Sequence, residues 1–183
     1  MRIIAGDFKG RRLNSPLDDR IRPTSDKVKE AIFSMVNFDL PGAVVVDLFA
    51  GTGNLGLEAL SRGAKHCYFG DNSRDSLKLI KENIKYCKAE DMSSVIAGDY
   101  LSVLERIHDD ADLIFLDPPY KDGLMLSCLD KIAELDMLKE DGKIIAEHSL
   151  DEKLPDEYAG FVKIKDKNYS KIAVSIYAKP DTL

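Results

Sequence analysis

The sequence predicts an α/β fold: a mostly parallel sheet covered by helices on both faces, with an antiparallel hairpin at one edge. Strand-like and helix-like segments alternate from residue 43 to residue 149. A glycine-rich turn, "DLFAGTGNLG", joins the first strand to its helix, and two strand-like runs, "FVKIKDKN" and "KIAVSIYAK", close the chain with no helix between them. Alternation implies parallel pairing, because each return crossover needs a helix, whereas strands joined by a short turn pair antiparallel.

The first element after the N-terminal arm is a helix in "PTSDKVKEAIFSMVNF". Its apolar residues Val28, Ile32, Met35 and Val36 recur at helical spacing, and Thr24, Ser25 or Asp26 is placed to cap it. Pro41 and Gly42 break the chain before "AVVVDLFAG", a β-branched run typical of a buried strand. A helix is expected over residues 54–62. Strand "KHCYFGD" then precedes a helix over 73–87, and "SSVIAGD" precedes one around 99–107. Strand "ADLIFLD" runs into Pro118 and Pro119, which cannot donate to a strand ladder and so stop it. A helix near 123–137 and the strand "GKIIAEHS" follow.

At 183 residues the chain is read as one domain, with a basic extension over residues 1–40 and the sheet over 41–183. No apolar run approaches the ~20 residues of a membrane helix. "MRIIAGDFKGRR" has too short an apolar core for a signal peptide. Cys67, Cys87 and Cys128 are far apart and unpaired in motif, which suits reduced thiols and a cytoplasmic location. His66, His108 and His148 are equally scattered, so no metal is expected. The net charge is −6, but residues 1–30 carry +3 and the remainder −9. An acidic body with a basic arm is not built to coat nucleic acid by bulk charge; it is built for local contact.

Ligands of open parallel sheets bind beyond the carboxyl ends of the strands, and the unusual residues fall there. Gly51, Gly53 and Gly56 form G-x-G-x-x-G directly after a strand and at the start of a helix. Glycine permits the tight turn and close backbone approach, and the helix N-terminus favours an anionic group. Asp71 ends the next strand twenty residues after Gly51, where an acid meets ribose hydroxyls; Asp99 ends the third, where it serves equally as a helix cap. These features point to a nucleoside cofactor. A hydride-transfer enzyme shares the turn, but Asp47, four residues before Gly51, places a negative charge where a pyrophosphate loop wants small apolar residues. An acid there suits S-adenosylmethionine, which carries an ammonium group and no phosphate.

"DLFAGTGNLG" followed by "LDPPY" resembles the class I methyltransferases that act on exocyclic amino groups, whose acceptor motif Asp/Asn-Pro-Pro-Tyr/Phe is matched by Asp117, Pro118, Pro119 and Tyr120. A carboxylate accepts hydrogen bonds from an amino group, the stiff Pro–Pro backbone holds a carbonyl beside it, and the tyrosine ring stacks on a flat base. With "RIIAGDFKGRRL", "RPTSDKVKEAIF" and "DLFAGTGNLGLEALSRGA", the chain resembles the RsmD family of bacterial 16S rRNA (guanine-N2)-methyltransferases from Arg2 through the C-terminal "NYSKIAVSIY". Lys27 and Lys29 stand where that family tends to have arginines, and Gly70 interrupts the usual run before Asp71.

The resemblance implies a Rossmann-like, seven-stranded class I methyltransferase sheet with a small N-terminal β-hairpin. It implies S-adenosyl-L-methionine held by Asp47, Phe49, Gly51, Thr52, Gly53, Gly56, Asp71, Asn72, Asp99 and Tyr100, and a guanine at residues 117–120. It also implies 16S rRNA in the assembled small subunit as substrate, no metal, no membrane, and a monomer. Arg11, Arg12, Arg20, Arg22, Thr24 and Lys27 are the expected RNA contacts, with Arg22-Pro23-Thr24 a stiffened and capped start to the helix. Glu147 and His148 end the fifth strand, where bordering the pocket is one reading and simple strand-end surface residues the preferred one. A DNA adenine or cytosine amino-methyltransferase and a non-catalytic cofactor-binding assembly factor remain open alternatives at this point.

Overall fold

The computed structural model describes residues 1–17, 24–119 and 123–180. The helix after the arm is α1 (Asp26–Met35), capped by Ser25, whose side chain accepts from the Val28 N–H. The alternation then runs β1 (Val44–Leu48), α2 (Asn54–Ser61), β2 (His66–Asp71), α3 (Arg74–Tyr86), β3 (Ser93–Ala97), α4 (Tyr100–Glu105), β4 (Ala111–Leu116), α5 (Leu124–Glu134) and β5 (Leu138–Ser149). Three antiparallel strands follow: β6 (Glu157–Tyr158), β7 (Phe161–Tyr169) and β8 (Ile172–Ala178).

The sheet order is β3-β2-β1-β4-β5-β8-β7-β6, parallel from β3 to β5. This is the Rossmann-like arrangement of class I methyltransferases. The eighth strand beyond the seven expected is β6, a two-residue strand too short for hydrophobic periodicity to reveal. Strand order reverses between β1 and β4, so the crevice for a ligand opens beyond their carboxyl ends.

The sheet's two faces bury different partners. One packs β1, β2, β4 and β8 residues such as Val45, Phe69, Phe115 and Val174 under α1, α2 and α3. Here the Phe33 ring meets Phe115 at 5.5 Å between centroids. The other sets Ile114, Ile144 and Tyr177 against α4 and α5 residues including Leu104, Leu129 and Ile132.

Among the described residues the N-terminal hairpin is short: one bridge, Arg2 with Arg12, and the backbone bonds Ile3 N–H to Arg11, Gly10 N–H to Ile3 and Leu13 N–H to Met1, at 2.9, 2.9 and 3.1 Å, while its other groups grip α2. Ile4 N–H donates to the Glu58 carboxylate at 2.9 Å, and Asp7 N–H to the Ser61 carbonyl at 2.8 Å. The Ser61 hydroxyl receives the Phe8 N–H at 2.9 Å and donates to the Ala5 carbonyl at 2.6 Å. Ile3, Phe8 and Leu13 join the core beside α1 and α2.

Gly6 makes this approach possible. Its φ is +85°, and a Cβ there would lie 1.9 Å from the Ser61 carbonyl oxygen. Gly10, at φ +84°, has open space around it. Gly10→Ala is expected to incur only the left-handed backbone cost, about 1–2 kcal/mol. Gly6→Ala adds overpacking of about 1–3 kcal/mol, roughly 2–12 °C of further Tm loss in a chain this size. Thermal unfolding of the two variants checks this, and equal Tm values would exclude the close packing of Gly6 on α2.

Candidate active site

The turn from β1 to α2 is built from left-handed residues: Phe49 at φ +65°, Gly51 at +62° and Gly53 at +83°. A bulky residue rarely adopts that conformation, and where one does the surroundings hold it there. Two carboxylates do so here. Asp71, at the end of β2, accepts the Gly51 N–H on Oδ2 and the Ser73 N–H on Oδ1, each at 2.9 Å. Asp47, near the end of β1, accepts the Gly56 N–H at 2.9 Å. Gly56 itself lies against β2: a Cβ would fall 2.3 Å from Phe69 Cε1 and 2.7 Å from Cys67 Sγ. The third glycine therefore serves helix–strand packing, while Gly51 and Gly53 shape the turn.

The floor of the turn is tied to α3 and to the arm. Asn83, fully buried, donates to the carbonyls of Thr52 at 2.9 Å and Asn14 at 3.1 Å, and accepts the Asn14 N–H at 2.7 Å. Thr52 is buried. On the other side of the turn, Phe49 and Tyr100 face each other at 6.2 Å between centroids, both half-buried. Asp99 caps α4 by accepting the Ser102 N–H at 2.8 Å, and Asn72 is exposed at the end of β2.

Across the switch point, Asp117 follows β4 as a half-buried carboxylate, with Pro118 buried and Pro119 exposed. Leu116 pairs with Ala146, so Asp117 sits beside Glu147 of β5. Glu147 is buried and accepts the Thr24 hydroxyl at 2.9 Å. Three neighbouring strands thus bring Asp47, Asp117 and Glu147 to one end of the sheet. Burial pushes the Asp47 carboxyl up to about 8, against the Gly56 N–H, which favours the charged form, and with the Asp71 charge adding to the rise. Burial raises Asp117 well above the usual carboxylate range, and the charges of Glu147 and Asp47 raise it further. Glu147 is raised by burial and partly offset by Thr24. Like charges this close do not all ionise, so the cluster retains protons at neutral pH.

Several sequence expectations need correction. Glu147 and His148 are not surface residues: both are buried, with His148 Nε2 2.8 Å from Ser175 Oγ. Antiparallel pairing of β5 with β8 runs to Ser149 and covers them, which the sequence of β5 alone does not reveal. Thr24 is likewise no exposed phosphate contact, since its hydroxyl is committed to Glu147. Arg11 packs on the body, donating to the Cys87 carbonyl at 2.8 Å and lying over the Phe8 ring. Lys29 is fully buried, donating to the Arg2 carbonyl at 2.5 Å and to Asn54 Oδ1 at 2.8 Å, and burial lowers its pKa against the opposing charge of Glu58. Arg12 and Lys27 are exposed. Arg20, Arg22, Pro23 and Tyr120 lie outside the described residues. No helix among the described residues is long and apolar enough to cross a membrane, and they contain no cluster of three or more His, Cys, Asp or Glu able to hold a metal.

Comparison with known proteins places this geometry in context. The family described as conserved hypothetical protein 95 matches residues 1–178. A Bacillus subtilis (strain 168) protein named "Putative rRNA methyltransferase YlbH" is 40% identical over 182 residues, covering 98% of this chain and 99% of that protein. "Ribosomal RNA small subunit methyltransferase D" of Escherichia coli (strain K12) is 29% identical over 179 residues, covering 98% and 90%. The solved structure titled "Putative methyltransferase yhhF from Escherichia coli" superposes with a TM-score of 0.88 at 28% identity, covering 98% of this chain and 97% of that one.

A carboxyl whose pKa is raised by folding holds its proton in the folded state after the unfolded state has released it. Its contribution is therefore full below the ordinary carboxylate pKa and is lost as pH rises, for Asp47 up to about 8. Asp47→Asn keeps an acceptor for the Gly56 N–H and removes the titration. The Tm of the wild type relative to this variant should fall by several degrees between pH 5 and pH 9. A difference that stays constant with pH would mean that Asp47 is ionised throughout.

Proposed function

The chain belongs to the conserved hypothetical protein 95 (RsmD) family of methyltransferases, and we propose from that premise that it methylates the exocyclic N2 amine of a guanine in 16S rRNA, using S-adenosylmethionine, in the assembled small subunit. The observation that carries this reading is the position of the Asp117-Pro118-Pro119 turn, directly across the strand-order reversal from the β1–α2 turn. The cofactor and an acceptor amine then meet in one crevice.

The residues present fit the cofactor. Asp71 retains acceptor capacity for ribose hydroxyls beside its two backbone bonds, Asp47 lies beneath the turn where an ammonium group would be balanced, and the Phe49 and Tyr100 rings offer flat surfaces for a base. When bound, S-adenosylmethionine supplies an electrophilic methyl group. Asp117 accepts hydrogen bonds from the acceptor amine and orients its nitrogen toward that methyl. Burial first, and after it the charges of Glu147, held by Thr24, and of Asp47, make Asp117 harder to ionise. No covalent enzyme intermediate is needed, because positioning and a hydrogen-bond acceptor suffice for an in-line transfer.

Incubation with labelled S-adenosylmethionine and unmodified small subunits, with naked rRNA and DNA in parallel, tests the reading. Label should appear in N2-methylguanosine, mainly from assembled subunits; label in methyladenine or methylcytosine would overturn the substrate. Asp117→Ala should lower transfer about 100-fold or more, the scale of losing one positioned charge-stabilising contact, with cofactor binding retained. Intact transfer by this variant would remove Asp117 from the mechanism.

Glu147→Gln keeps an acceptor for Thr24 but removes the charge that raises Asp117. The acidic limb of its pH–rate profile should therefore move to lower pH than in the wild type. A limb that stays in place would show that the two carboxyls do not titrate together during turnover.

A further inference from the structure

The C-terminal hairpin carries a feature that neither the basic arm nor the cofactor site explains. Lys143, Lys163 and Lys179, on the same half of the sheet, each pair with carboxylates: with Asp39, with Asp156 and Asp166, and with Asp136 and Glu140. Lys165 and Lys167 on β7, and Lys171 in the turn to β8, are exposed, and none has a carboxylate within 4.0 Å among the described residues. Asp166, between the two β7 lysines, is occupied by Ser175, whose hydroxyl donates to it at 3.0 Å. Asp151 and Glu152 follow Leu150, whose N–H donates to the Lys171 carbonyl at 3.2 Å, yet the three lysines themselves remain outside any ion pair among the described residues.

Their position is set by register. Lys167 pairs with Val174, Val174 with Glu147, and Glu147 lies beside Asp117. Lys167 is thus in the same cross-sheet row as Asp117, three strands away, or about 14 Å at the usual spacing. Pairing of Lys165 with Ile176, Lys167 with Val174 and Tyr169 with Ile172 is continuous, so the three side chains share one face. That face carries α1, because Val174, Ile176 and Tyr169 pack in the cluster containing Val28 and Ile32. The turn at Ser170 and Lys171 reaches past Asp117's row on the same side of the sheet as the strand ends.

The geometry points to the β7–β8 hairpin as a phosphate-contacting surface for the RNA strand that delivers the target base, with Lys165, Lys167 and Lys171 meeting the backbone flanking that base. This rests on the rRNA reading above and adds a second docking element to it, on the opposite side of Asp117 from the β1–α2 turn. Sequence-independent lysine contacts of this kind fix orientation and register, while the pocket chooses the base. Lysines on an edge strand also discourage strand-to-strand aggregation. Replacement by glutamate separates the two roles, since it keeps a charged edge but repels phosphate.

The test is binding of unmodified small subunits by the triple variant K165E/K167E/K171E over a salt series, with cofactor binding and methyl transfer measured alongside. Lys65→Glu, an exposed change at the opposite end of β2, controls for general charge. The triple variant should bind subunits at least tenfold more weakly at low salt, with a salt slope shallower by about two to three, since each phosphate contact contributes roughly 0.7–0.9. Its loss should appear in KM for subunits, with cofactor affinity equal to wild type, and Lys65→Glu should bind normally. Equal subunit affinity and salt slope for wild type and triple variant would overturn the hairpin surface while leaving the rRNA reading standing. Failure of the wild type itself to bind or methylate subunits would overturn both.

Discussion

The β1–α2 turn is held in a conformation its backbone would not choose, and the two bonds that hold it organise the molecule. Asp71 fixes Gly51 and Asp47 fixes Gly56. Because Gly56 must lie against Phe69 and Cys67, α2 is drawn tightly onto β2. A helix held that closely then offers Glu58 and Ser61 as fixed anchors for the N-terminal segment. Asn83 ties the same segment to the Thr52 carbonyl beneath the turn. The β1–α2 turn and the arm are therefore one mechanical unit.

The carboxylates at the strand ends are poor contributors to stability in the isolated fold. Burying a charge is unfavourable without a cation or several donors, and these acids meet the difficulty by retaining protons. Strongly shifted groups gathered at a topological switch point are what a functional site produces, because evolution for packing alone would have replaced them with apolar residues. Thr24 gives this arrangement a structural consequence. It anchors the start of α1 to Glu147 at the end of β5, beside Asp117.

The strand–helix alternation, the glycine turn, the closing hairpin and the positions of Asp47, Asp71 and Asp117 were legible in the sequence because each is local. Periodicity, a turn motif or a strand end announces them within a few residues. Glu147 and Thr24 were not legible as a pair, since they are 123 residues apart and meet only where the start of α1 packs over the end of β5. Arg11 and Lys29 read as part of a basic arm, yet one caps the end of α3 at Cys87 and the other is buried on the inner face of α1. A charge count cannot distinguish a lysine that faces phosphate from one that satisfies a buried carbonyl.

The same point decides how the positive charge of this acidic protein should be read. Overall the chain repels a polyanion, so association with RNA depends on where lysines and arginines remain unspent after folding. Lys29 and Arg11 are consumed internally, and Lys143, Lys163 and Lys179 are neutralised by adjacent acids. Among the described residues, Lys165 and Lys167 remain unspent on the face that carries α1, on the far side of β5 from a crevice whose own residues are acids. On the proposed reading, a surface of this kind attracts phosphate only at its rim, leaving the carboxylates in the centre for amines. Charge separation between rim and centre would then make selection of an amino-bearing base compatible with binding a chain of phosphates, and a uniformly basic site would lose that distinction.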